Sequence, residues 1–142
     1  MRTIILTASA LAVAFAIATA AAAAQPRAVK IEVKTPTNGG AGTFTTSGAG
    51  LCRRGATHDR IFTRPKAGNH WALRFRKTFR CSNHAGTFVV EVGAHVNGVR
   101  ASGGWKIVNG TEAYAKLEGS GSFAARGTAT GFLDHYRGTI SL

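Results

Sequence analysis

The segment from His70 to Cys81, HWALRFRKTFRC, is the clearest strand in the chain. Its side chains alternate: Trp71, Leu73, Phe75, Phe79 and Cys81 share one face, and Arg74, Arg76, Thr78 and Arg80 share the other. A period of two is a strand period, and an apolar face this wide must be covered by other elements. Lys77 interrupts the apolar row. That predicts a strand passing its sheet edge there, or a lysine stem that snorkels toward water.

The rest of the chain reads in the same way. Val29, Ile31 and Val33 alternate with Lys30, Glu32 and Lys34 until Pro36 and Asn38-Gly39-Gly40 end the strand. Gly42 to Ser47 is a second strand built on threonine and Phe44. Arg53 to Asn69 is the least regular part, with a short strand expected between His58 and Thr63. Thr87 to Val96 sets Phe88, Val90, Val92, Ala94 and Val96 on one face, and Asn97-Gly98 predicts a two-residue hairpin. Val99 to Ser102 reads as a short return. Gly103-Gly104 then separates it from a strand around Trp105 and Ile107, and Asn109-Gly110 reads as the next turn. Thr111 to Leu117 fits one helical turn or a bulged loop. Gly119 to Arg126 and Phe132 to Leu142 are extended again. About eight short strands with glycine at most junctions, and no segment long enough for an ordinary helix, predict an all-β barrel or sandwich.

Residues 1–24 carry the grammar of a signal peptide. Arg2 precedes an uncharged apolar run from Ile4 to Ala18, and Ala22-Ala23-Ala24 places small residues before a cut at Gln25. Ala18-Thr19-Ala20 offers an earlier site. The run is alanine-rich and falls short of the about 20 strongly apolar residues that a spanning helix needs. Residues 25–142 then form one β-domain with a single core and no further hydrophobic span. A secreted or periplasmic address follows. In that compartment the only two cysteines, Cys52 and Cys81, are expected to form a disulfide.

Charge is the strongest functional signal. The chain has 18 Lys/Arg against 6 Asp/Glu, a formal +12, and loss of Arg2 with the signal leaves +11. Arg53, Arg54, Arg60, Arg64, Lys66, Arg74, Arg76, Lys77 and Arg80 cluster in one stretch where Asp59 is the only acid. A field of one sign favours polyanions such as nucleic acid, lipopolysaccharide, acidic glycans or anionic lipid heads, and it also serves solubility. The seven arginines of the stretch are candidate anion-binding residues. Arg74, Arg76 and Arg80 would form a ridge on the face opposite Trp71, Phe75 and Phe79, which places those aromatics in the core rather than on a base-stacking platform.

Motifs for chemistry are missing. The five histidines His58, His70, His84, His95 and His135 show no metal-ligand spacing. No dinucleotide or phosphate-cradling fingerprint occurs, so no cofactor is expected. Gly119-Ser120-Gly121-Ser122 lacks the strand-elbow-helix setting of a hydrolase nucleophile. Asp134 and Tyr136 fall on one strand face and His135 on the other. No catalytic residue is assigned.

The runs FRCSNHAGTF, WKIVNGTEAYAKLEGSGS and DHYRGTISL together resemble a set of small secreted bacterial β-proteins, and more distantly the allene oxide cyclase and dirigent barrel superfamily. The shared features are a Phe-x-Cys-x-x-x-x-Gly-x-Phe step at Phe79 to Phe88, a strand leading to Gly110-Thr111, and an Asp-x-Tyr-x-Gly ending at Asp134 to Gly138. The resemblance spans Thr78 to Leu142. It implies an eight-stranded antiparallel barrel whose apolar lumen can hold a lipophilic molecule; some members guide cyclisation or radical coupling. Trp71, Phe75, Val90 and Trp105 are the corresponding lumen candidates. Glu112 stands where that pattern has its second glycine; if the position needs a positive φ, the substitution costs stability or reshapes the turn.

Three readings follow: a non-enzymatic binder of anionic or amphipathic partners, a lipophile-handling barrel or isomerase, and a structural envelope protein. Intact mass of the exported protein is expected to correspond to a chain starting at Gln25 with both thiols oxidised. A mass retaining residues 1–24 would remove the export reading.

Overall fold

The computed structural model describes residues 24–38, 41–48, 50–63 and 68–142. Residues 1–23, where the sequence predicts a signal peptide, and Arg64 and Lys66 of the basic stretch lie outside the described residues. Eight strands run in chain order: β1 (Arg27–Pro36), β2 (Gly42–Ser47), β3 (Arg54–Ile61), β4 (His70–Cys81), β5 (Thr87–Asn97), β6 (Arg100–Gly110), β7 (Glu118–Thr128) and β8 (Gly131–Ser141). Each strand pairs antiparallel with its chain neighbour, and β8 pairs back onto β1 through a register running from Arg27↔Ile140 to Pro36↔Gly131. The result is a closed up-and-down barrel. Closure removes every sheet edge, and each strand divides into an inner and an outer row.

The inner row is apolar because the alternation is. Val29, Ile31, Val33, Phe44, Phe75, Phe79, Phe88, Val90, Val92, Trp105, Phe123, Tyr136 and Ile140 are all buried. Lys30, Lys34, Thr43, Thr45, Arg80, His95 and Lys106 lie exposed on the outside. That polar outer wall is unlike the apolar band of a lipid-facing barrel. Among the described residues no helix is long and apolar enough to cross a membrane.

Several boundaries differ from the sequence expectation. β3 begins at Arg54 rather than His58, because Gly55 and Thr57 pair with Cys81 and Phe79 on β4. The return after Asn97 and the strand at Trp105 are one strand, β6, running through Gly103 and Gly104. Gly103 permits this: a Cβ there would collide with the Gly93 carbonyl oxygen on β5. The hairpin itself is shifted by one residue. Asn97 pairs with Arg100, so Gly98 (φ 59) and Val99 form the turn. Asn109 and Gly110 end β6 rather than turning it, and the reversal is made by the following segment with its 3-10 turn at Glu112–Tyr114.

Lys77 is the larger correction. It neither marks an edge nor snorkels. A closed barrel has no edge, Lys77 lies in the middle of β4 facing inward, and it is 0% exposed.

Glu112 adopts φ 54. A left-handed conformation costs an L-residue roughly 1–2 kcal/mol, part of which glycine would give back through its looser unfolded chain. Glu112→Gly is therefore expected to raise stability by about 0.5–1 kcal/mol in urea denaturation. A lower midpoint would show that the Glu112 side chain makes a compensating contact.

Candidate functional site

The two ends of the barrel are built differently. At one end lie the β2–β3, β4–β5 and β6–β7 connections. There Cys52 and Cys81 form a disulfide closing a sequence separation of 29 residues. Tyr114, delivered by the 3-10 turn, is buried beside it: its hydroxyl accepts from the Cys52 N–H at 2.9 Å and lies 3.5 Å from Cys81 Sγ. Above this cap the lumen is solid. Phe79 stacks on Phe88 with ring centroids 4.7 Å apart, and Phe44, Tyr114 and Tyr136 meet those rings edge-on. Such ring pairs add about 0.5–1.5 kcal/mol each beyond their area.

Among the described residues the other end is open: residues of all eight strands and the Gly98-Val99 turn line a cavity of about 600 Å³. Its walls are mainly apolar: Trp71, Leu73, Phe75, Val96, Phe123 and Phe132. The alanines Ala101 and Ala125, paired across β6 and β7, leave the space that larger side chains would fill. Arg100 and Arg126, also a cross-strand pair, line the mouth.

Between the solid half and the cavity sits an ionic floor. The Lys77 ammonium lies 3.0 Å from Asp59 Oδ1 and 3.1 Å from Oδ2 on the adjacent strand β3. It lies 2.9 Å from Asp134 Oδ2 on β8, four strands round the barrel from β4, and 3.4 Å from Thr35 Oγ1 on β1. The lysine therefore spans the lumen. Asp59 and Asp134 both line the cavity. Burial pushes the Asp134 carboxyl above its ordinary range, and the Lys77 charge opposes that shift. Burial also raises the Tyr136 phenol, whose hydroxyl has no hydrogen-bond partner among the described residues.

The basic stretch is rearranged by tertiary pairing. Arg74 Nη2 and Arg76 Nε donate to the two oxygens of Glu91 on β5, each at 3.0 Å, and Lys106 lies 3.7 Å from the same carboxylate. The two arginines hold the Glu91 carboxyl below its usual range. Arg60 and Arg76 also stand over the Phe62 ring, at 5.5 and 5.4 Å from its centroid. Arg53, Arg54 and Arg80 are exposed near the disulfide end. Asp59, the one acid in the stretch, faces the lumen instead of the arginines. Of the lumen candidates, Trp71 and Phe75 line the cavity, whereas Val90 and Trp105 are packed into the buried core.

The sequence reading missed Asp59, Asp134 and Lys77 as one cluster, and Glu91 as the partner of the ridge. Its only local signals were the break at Lys77 in the apolar row and the shared face of Asp134 and Tyr136. Together these features define an eight-stranded antiparallel barrel, pinned by a disulfide at one end and open at the other to an apolar cavity with an ionic floor. Comparison with family models, with curated proteins and with solved structures gave no match.

Removing the cation from this floor should be costly. Lys77→Met is expected to destabilise by about 3–5 kcal/mol at neutral pH, since two carboxylates then share a buried space without a counter-charge. The triple change Lys77→Met/Asp59→Asn/Asp134→Asn should recover most of that loss in urea denaturation. A single change that costs less than 1 kcal/mol, roughly a surface salt bridge, would mean that the ammonium does not hold the floor.

Proposed function

We propose that this protein binds a small lipophilic molecule in the open half of the barrel. The carrying observation is the cavity of about 600 Å³. Ligand sites are typically concave spaces of about 300–1,000 Å³ with apolar walls and a few placed polar groups. An eight-stranded barrel is wide enough either to be filled by side chains or to hold one small ligand. This one does the first below Lys77 and has room for the second above it. A disulfide-capped base and, among the described residues, one mouth suit a carrier or binding protein rather than a channel.

Export to an oxidising compartment fits the reading, because a disulfide pins the closed end. A binding role also fits the resemblance to lipophile-holding barrels carried by Phe79 to Phe88 and Asp134 to Gly138. The competing idea, a polyanion surface on the arginine ridge, is weakened at its centre: Arg74 and Arg76 already share Glu91.

The test uses a neutral apolar fluorophore, N-phenyl-1-naphthylamine, titrated into the protein. One-to-one binding with enhanced emission is expected. Ala125→Phe, which places a ring in the cavity, is expected to weaken it roughly tenfold or more, or about 1.4 kcal/mol. A dye that the wild type ignores, or that Ala125→Phe binds equally well, overturns the proposal.

A further inference from the structure

With both carboxylates ionised, the cavity floor carries one more negative charge than Lys77 balances. Among the described residues, Asp59 and Asp134 find a single ion-pairing cation, Lys77. The three Lys77 protons are directed at Asp59, Asp134 and Thr35 Oγ1, so the lysine is fully used. Lys77 itself is 0% exposed and does not line the cavity; both carboxylates do. Asp59 Oδ1 is buried and lacks a well-directed hydrogen bond despite lying 3.0 Å from the ammonium. The Asp59 side chain keeps 30% of its exposure, while that of Asp134 keeps 8%. An occupant of the cavity would therefore meet the exposed part of the Asp59 side chain and, with both carboxylates ionised, a formal excess charge of one, in surroundings where charge is weakly screened.

We propose that the cavity selects an amphiphile with a cationic head, a lipophilic amine, which seats its ammonium against Asp59 and Asp134. The inference rests on the cavity being a ligand site. The apolar body of the ligand lies along Trp71, Leu73, Phe75 and Phe132, and its head completes the charge balance that Lys77 leaves open. The mouth has the opposite sign. Arg100 and Arg126 are directly paired across β6 and β7, and like charges in that relation repel. They repel a cationic head from the mouth, and they would hold an anionic head if the floor played no part. Ligands of matched length and different head charge separate the two cases.

The experiment displaces N-phenyl-1-naphthylamine from the wild-type protein at neutral pH with decylamine, decanol and decanoate. Decylamine is expected to compete at a concentration roughly tenfold or more below either of the others, about 1.4 kcal/mol of preference. Asp59→Asn, checked for native circular dichroism, should erase the preference for decylamine over decanol. The ranking in the wild type stands without the variant. Equal competition by decylamine and decanol overturns the proposal, and so does decanoate as the strongest competitor, which would assign selection to the mouth arginines. In either case the cavity still binds lipophiles. Failure of the dye and all three compounds to bind would overturn the cavity reading itself.

Discussion

The barrel is organised around one lysine. Lys77 extends from the middle of β4 to carboxylates on β3 and β8, so a single ammonium ties together walls that are distant in the sheet order. Taking charges out of water costs several kcal/mol per ion, which the pairing offsets only if the geometry is good. At 2.9–3.1 Å from three carboxylate oxygens it is good. The surplus is in location more than in stability. An apolar side chain at position 77 would join the rings below it. An ammonium with two carboxylates instead halts apolar packing at that level, and the space above stays open.

Below that level the design is the reverse. Phe44, Phe79, Phe88, Tyr114 and Tyr136 interlock, and the Cys52–Cys81 disulfide fastens the strand ends beneath them. Cross-linking a loop of this length restricts the unfolded chain by about 3–4 kcal/mol in the chain-entropy account. Ring packing and the cross-link are thus concentrated at the closed end, while the Gly98-Val99 turn lies at the mouth. A binding cavity at the opposite pole from the staple is compatible with a stable fold that still admits a ligand.

The outer surface shows how poorly formal charge reports on available charge. Glu91 lies directly opposite Arg76 in the β4–β5 register and receives Arg74 as well. The arginine-rich stretch is therefore partly neutralised by a residue eleven positions beyond its end, while the acid inside the stretch, Asp59, turns inward to a different partner. Net charge governs solubility and association in general terms. Which charges are free is a matter of pairing across strands.

The sequence by itself determined the all-β class, the inner row of β1, β4 and β5, and the two cysteines that pair, because each depends on local alternation or on composition. β2 and β4 match their expected bounds at Gly42–Ser47 and His70–Cys81. It also showed where something was odd, at Lys77, but not what the oddity meant. Only the tertiary structure decided that β6 runs unbroken through Gly103 and Gly104, that the sheet closes, and that Lys77, Asp59 and Asp134 meet. Those outcomes depend on strand register and on which residues face each other across a lumen. Lys77, 18 positions from Asp59 in the chain, meets it through the β3–β4 register, and Asp134, 75 positions away, joins them only when the eighth strand pairs with the first.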